Sequence, residues 1–206
     1  MLNKTMIKYP SPVFLLMIYL SLLTGVSEAA GFDEQLNISS GPALKLSGYT
    51  QVGYTRWEQD KRGFRIRQAR IQLKGDILKN IDYKIQIDAT QSPILLDAEV
   101  GINLSPYVNL SFGQFKVPFS IENLISGSEL DTINRSNTVN NLCPARDIGT
   151  QGRDIGFTIS GKYSIFEYTL GVFNGSGKNK TDTNDQLDVA GRMVLTLFHS
   201  FSIGLS

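Results

Sequence analysis

The chain has 206 residues, with 20 Lys and Arg against 19 Asp and Glu, one histidine and one cysteine. So even a balance gives no reason to expect a nucleic-acid partner, and any preference for one sign of ion must come from the local placement of charge. A single cysteine, Cys143, excludes an internal disulfide. A single histidine, His199, leaves too little for a His-based metal site or catalytic triad, so no cofactor and no enzymatic activity are expected.

The N-terminus carries Lys4 and Lys8, then an apolar run over 13–23, then small residues at Ser27 and Ala29. That is the plan of a cleavable signal peptide over 1–29, and its apolar run is well short of the roughly twenty residues of a spanning helix. Cleavage removes two of the 20 basic residues and one of the 19 acidic ones, leaving 18 of each. Residues 30–42 are non-periodic and contain Gly, Ser, Asn and Pro, which reads as a flexible leader. Residues 43–206 then form one domain.

From residue 44 onward the chain alternates apolar and polar side chains in short runs, the period-2 pattern of a strand with one greasy face. Strands are expected at Leu44–Arg56, 64–74, 83–90, 96–104, 108–117, 154–160, 163–173 and 187–198, with Phe201, Ile203 and Leu205 opening a ninth. In the third, Tyr83, Ile85 and Ile87 alternate with Lys84, Gln86 and Asp88. In the fourth, Leu96, Ala98, Val100, Ile102 and Leu104 oppose Asp97, Glu99 and Asn103. Two strands change phase partway, as a β-bulge would make them do. The second shifts after Ile66, and the fifth shifts at Gly113, with Phe115, Val117 and Phe119 continuing its apolar face. On that reading Arg65, Arg67, Arg70 and Lys74 share the polar face of the second strand and Lys116 lies on that of the fifth.

Connection lengths sort by parity. The long links, 118–153 and 174–186, fall at one end, and the tight ones, 105–107, 161–162 and 199–200, fall at the other. Antiparallel membrane barrels have such an asymmetry, and strands of about ten residues suit a tilted bilayer crossing. A soluble sandwich also alternates, with its apolar face inside, but has no reason to segregate its loops. The fold expected is therefore all-β, a transmembrane antiparallel β-barrel. Tyr49, Tyr54, Trp57, Phe64, Tyr83, Tyr107, Tyr163 and Phe173 stand near strand ends, where interfacial girdles belong. A half-written ninth strand would leave an unpaired edge in lipid, so these residues read as the first part of a larger barrel, truncated at the C-terminus.

The polar face would line an aqueous lumen, bringing in Lys45, Arg65, Arg67, Arg70, Lys74, Lys84, Lys116 and Arg192 together with Asp88, Asp97, Glu99, Asp154, Glu167 and Asp188. The second strand is then a basic column and the fourth an acidic one. The arginines have two readings. They can serve as a series of weak oxyanion sites, which conduction requires. Alternatively they brace the wall, neutralised by Asp97, Glu99 or the loop acids Glu122, Glu129 and Asp131. Arg135 and Arg146, within the long loop, can either reach a constriction or tie loop to wall.

Five stretches carry a resemblance: GFRIRQARIQLKG (63–75), LLDAEVGINL (95–104), FGQFKVPFSIENL (112–124), ARDIG (145–149) and GVFNGSG (171–177). The chain resembles the phosphate-selective porins of the O and P type. The resemblance implies a sixteen-stranded barrel set in outer-membrane lipid, usually a homotrimer, passing small anions such as phosphate or polyphosphate by passive diffusion. It also implies that the loop after the fifth strand, here 118–153, folds into the pore. The candidate pore-lining and anion-binding residues are Arg65, Arg67, Arg70, Lys74, Lys84, Lys116, Arg135 and Arg146. The competing reading is a non-conducting outer-membrane barrel that acts as an anchor or adhesin through its external loops.

Overall fold

The computed structural model describes residues 34–36, 44–56, 62–132, 134–182, 184–198 and 201–206. The expected signal peptide, Trp57 and the 199–200 turn lie outside the described residues. Ten strands form one antiparallel sheet in sequence order: β1 (Glu34–Leu36), β2 (Leu44–Arg56), β3 (Arg62–Leu78), β4 (Ile81–Asp88), β5 (Leu95–Ser105), β6 (Val108–Lys116), β7 (Arg153–Tyr163), β8 (Phe166–Phe173), β9 (Asp188–Phe198) and β10 (Phe201–Leu205). Among the described residues the sheet is open, with β1 and β10 as its edges. β1, short and within the expected leader, pairs through Glu34 with Leu46.

The two faces differ as the alternation requires. On one, apolar side chains run across the strands in rows: Tyr83, Val100, Phe112, Phe157 and Val172 are successive cross-strand partners, as are Ile81, Ile102, Leu110, Ile159 and Leu170. No second sheet covers them among the described residues: Ile85 is 43% exposed, Val100 40% and Phe64 80%. So open an apolar face does not suit a sandwich, in which that face would be dry.

The expected bulge in the second strand is present. Gln51 pairs with Gln68 and Val52 with Ile66, which leaves Arg67 as the extra residue of β3. The expected bulge at Gly113 is not: the ladder runs unbroken from Glu99 through Gly113 to Gly156. Gly113 instead has φ +120, and a Cβ there would collide with the Ala98 carbonyl oxygen. This conformation, open to glycine, reorients the end of β6 without adding a residue. Lys116 reaches the polar face, as expected. Phe115 and Val117 are not on the apolar face; they are buried with Ala145 and Phe173 in a small core beneath the long loop. The Phe115 and Phe173 rings meet edge to face at 5.7 Å, so Phe173 is no girdle residue.

The turn expected at 161–162 falls at 164–165, because β7 continues to Tyr163, which pairs with Phe166. Gly161 lies inside the strand, where the Tyr107 carbonyl and the Tyr168 ring approach too closely for a side chain. Aromatic pairs mark both sheet ends: Tyr54–Phe64 with centroids 5.1 Å apart and Tyr107–Tyr163 at 5.6 Å. The 117–152 connection holds two short helices, α1 (Ile121–Leu124) and α2 (Asn137–Leu142). Each opens on a serine whose hydroxyl accepts a backbone N–H, Ser120 from Glu122 and Ser136 from Val139, the usual N-cap bond.

Candidate functional site

Strand register positions the polar side chains. Lys45 pairs with Lys74, Lys74 with Lys84, and Lys84 with Glu99; two residues further along, Ser47, Gln72, Gln86 and Asp97 are successive partners; two further still, Tyr49 pairs with Arg70 and Arg70 with Asp88. Neighbouring strands lie about 4.8 Å apart and same-face residues along a strand about 7 Å apart. The basic side chains along β3, Arg70 and Lys74, and the acidic ones along β5, Asp97 and Glu99, are thus also joined into rows across the strands. Like charges directly opposite repel, and the lysine row is relieved at one end, where Lys84 Nζ meets Glu99 at 2.5 Å and Asp97 at 3.8 Å. The middle row is neutral up to Asp97 and is linked: Gln72 Nε2 donates to Ser47 Oγ (3.4 Å), Gln86 Nε2 to Gln72 Oε1 (3.3 Å) and Arg153 Nη2 to Gln86 Oε1 (3.1 Å).

Two buried ion pairs stand in this wall: Arg70 Nε to Asp88 Oδ2 at 3.1 Å and Arg153 Nε to Asp97 Oδ1 at 2.7 Å. A buried carboxylate is tolerated only when paired and hydrogen-bonded. Asp88, fully buried, also accepts from Ala69 N, from Thr90 N and Oγ1, and from Gln91 Nε2.

The long loop packs on the polar face through bonds from wall to loop. Gln51 Nε2 donates to the Gly127 carbonyl (2.9 Å), Arg67 Nη2 to Asn134 Oδ1 (2.8 Å) and Arg70 Nη2 to Gln151 Oε1 (3.4 Å). Lys116 Nζ donates to the carbonyls of Leu124 (2.8 Å) and Ile125 (2.7 Å) at the end of α1. Within the loop, Arg135 donates to the Glu122 and Ile125 carbonyls at 2.8 and 2.7 Å. Arg146 donates twice to Asn123 Oδ1 and once each to Asn140 Oδ1 and the Gln151 carbonyl. Asn123 is fully buried and donates to the Val117 and Gly152 carbonyls, pinning α1 to both ends of the loop.

Two of the resulting cavities hold the basic side chains. The larger, about 650 Å³, is of mixed charge, lined by Lys45, Arg70, Lys74, Lys84 and Lys116 with Asp97, Glu99 and Glu129. The smaller, about 210 Å³, lies between β3 and the loop; its charged lining is Arg67, Arg70, Arg135, Arg146 and Arg153, without a carboxylate. Arg70 borders both. Burial pulls the Arg135 guanidinium down to about 10, with repulsion from Arg146, Arg70 and Arg153 adding to it. Burial likewise lowers Arg146, whose neighbourhood includes the Arg153 charge. Burial raises the Cys143 thiol to about 11, so it stays protonated and unreactive near neutrality.

Of the expected site residues, Arg70, Lys74, Lys84 and Lys116 meet in the larger cavity, and Arg67, Arg70, Arg135 and Arg146 in the smaller; Arg65 lines neither. Tyr49, expected in a girdle, stands in the wall of the larger cavity with the Arg70 guanidinium 5.8 Å from its ring centre. Sequence reasoning missed Arg153. It is the first residue of β7, paired with Lys116 beyond the Gly113–Gly156 pair, where side-chain alternation no longer reports the face. The other long connection, 174–186, also reaches the wall. Lys178 Nζ donates to Gln91 Oε1 at 2.6 Å and Asn179 Nδ2 to the Leu95 carbonyl at 2.9 Å.

A single antiparallel sheet, apolar on one side and charged on the other, with a long loop folded against the charged side, is the arrangement of a porin-type barrel wall. The chain belongs to the phosphate-selective porin O and P family, whose model matches residues 45–198. A search of curated proteins returned no match. The family is one of channels rather than enzymes, and membership implies an outer-membrane protein.

Proposed function

We propose that the protein is a passive outer-membrane channel for small anions of the phosphate class. One observation carries this reading: five guanidinium groups from wall and loop line one cavity of about 210 Å³ that has no carboxylate in its lining. Guanidinium offers a planar fork suited to oxyanions. Dividing the attraction between this cavity and the lysine row keeps any one site from holding the ion, as conduction requires. The same reading extends the open sheet into a closed sixteen-stranded barrel assembled as a homotrimer.

Planar-bilayer recording on the full-length protein tests it. A salt gradient should give a reversal potential of anion sign, and phosphate should block chloride current. Arg67→Gln with Arg70→Gln should weaken that block roughly tenfold, the equivalent of one charge-assisted hydrogen bond. Cation selectivity, or block untouched by both substitutions, would refute the assignment of these side chains.

A further inference from the structure

The wall brings Arg67, Arg70 and Arg153 to the small cavity, and the loop brings Arg135 and Arg146. Asp88 answers Arg70 and Asp97 answers Arg153. Among the described residues, Arg67, Arg135 and Arg146 make no ion pair, and the hydrogen bonds from their side chains end on neutral groups: the amide oxygens of Asn134, Asn123 and Asn140, backbone carbonyls and, for Arg146, the Cys143 thiol. Glu122 is the acid whose charge is felt by both Arg135 and Arg146, and its carboxylate accepts from Ser136. Three unanswered cations against one nearby acid leave an excess of about two charges. They face one another from opposite sides of a cleft, so the loop is docked positive against positive.

We propose that this cleft binds a divalent tetrahedral oxyanion, phosphate or sulfate, which bridges loop and wall and holds the loop in place. The inference rests on reading the arginine cavity as an anion site, but adds that the anion is a tether as well as cargo. Four oxygens disposed tetrahedrally can accept from β3 and from the loop at once, and guanidinium pairs with such oxygens through two parallel bonds. Chloride, a single monovalent sphere, cannot span the cleft in this way. Because the docked loop completes the site, occupancy and docking are linked by mass action.

Backbone hydrogen exchange of the full-length protein in detergent, in sodium chloride and in sodium sulfate of matched ionic strength, tests this. Sulfate should slow exchange across 121–146 about tenfold at ten times its half-saturating concentration. Exchange in β7 and β8 should not change, which checks that the barrel is intact. Arg67→Gln, which removes one wall donor and leaves the loop's internal bonds in place, should abolish most of the sulfate effect, as should Arg135→Gln. Equal exchange in the two salts overturns the proposal, and faster exchange in sulfate overturns it by showing that the anion competes with the loop for its donors. If sulfate blocks chloride current without protecting the loop, the tether fails while the channel reading stands; if it does neither, the anion site itself fails.

Discussion

Arg153 shows how one side chain can support a wall of opposite charges. Its guanidinium is 2% exposed, pairs with Asp97 and orients Gln86. Removing one member of a buried pair leaves the other charge without a partner, typically at about 3–5 kcal/mol, whereas removing both costs far less. Lys84, 3.8 Å from Asp97, remains as a second cation, so Arg153→Gln should destabilise the folded protein by less than that full amount in a denaturant titration, and adding Asp97→Asn should recover most of the loss. Equal cost for the single and double variants would mean that the pair does not hold this part of the wall. Glu122 carries a second prediction. Burial works to raise its carboxyl, but the bonds from Ser136 Oγ and N outweigh that and hold it below the usual carboxylate range. A depressed carboxyl contributes stability that is present above its unfolded pKa and lost as pH falls through the lowered folded value. The link between α1 and α2 should therefore loosen on acidification below the ordinary carboxylate range, seen as faster amide exchange at 136–142, and Glu122→Gln should remove that pH dependence.

At the scale of elements, Gly113 is the position where β6 turns without losing register. A side chain there would have to adopt a φ of +120 and displace the Ala98 carbonyl. Strained backbone of this kind costs about 1–3 kcal/mol before any clash is counted. Gly113→Ala should thus destabilise the protein and disturb Lys116, so that loop exchange at 124–125 rises together with global unfolding. The strands themselves were legible because their residues alternate against two different solvents. Leu44–Arg56 is bounded in the sequence as in the structure, and the phase change after Ile66 marks the extra residue Arg67. Alternation becomes silent where a glycine replaces the marker side chain. At Gly161 it mimicked a turn, at Gly113 it mimicked a bulge, and beyond Gly156 it hid Arg153. The two helices of the loop were not expected at all: α1 is four residues and α2 six, too short for helical periodicity to register. What holds them is long-range, from Lys116, Asn123 and Arg146, and leaves no local pattern. The same limit applies to the site. Arg67, Arg70, Arg135 and Arg146 were named as separate candidates, but only the loop's path brings them into one cavity.

At the scale of the molecule, the sheet separates two environments, and this separation is open to a direct test. Val100 lies in the middle of β5, in the apolar row that runs from Tyr83 to Phe157. Ser160 lies on the opposite face of β7, between Asn109 and Thr169. If the apolar rows meet lipid tails, a lysine at Val100 must place its charge near the bilayer midplane, which costs about 2–4 kcal/mol for this class of protein. A lysine at Ser160 would meet water, neutral cross-strand partners and, two residues along, the Lys162–Glu167 ion pair, at a cost within about 0.5 kcal/mol. Folding into lipid vesicles, followed by the heat-modifiable mobility of the folded form, should therefore fall sharply for Val100→Lys and stay close to the parent for Ser160→Lys. The reverse ranking would place the charged rows, including the arginine cavity and the three lysines, on the lipid side. In that case neither an aqueous bore nor an anion path could exist where the polar face now puts them.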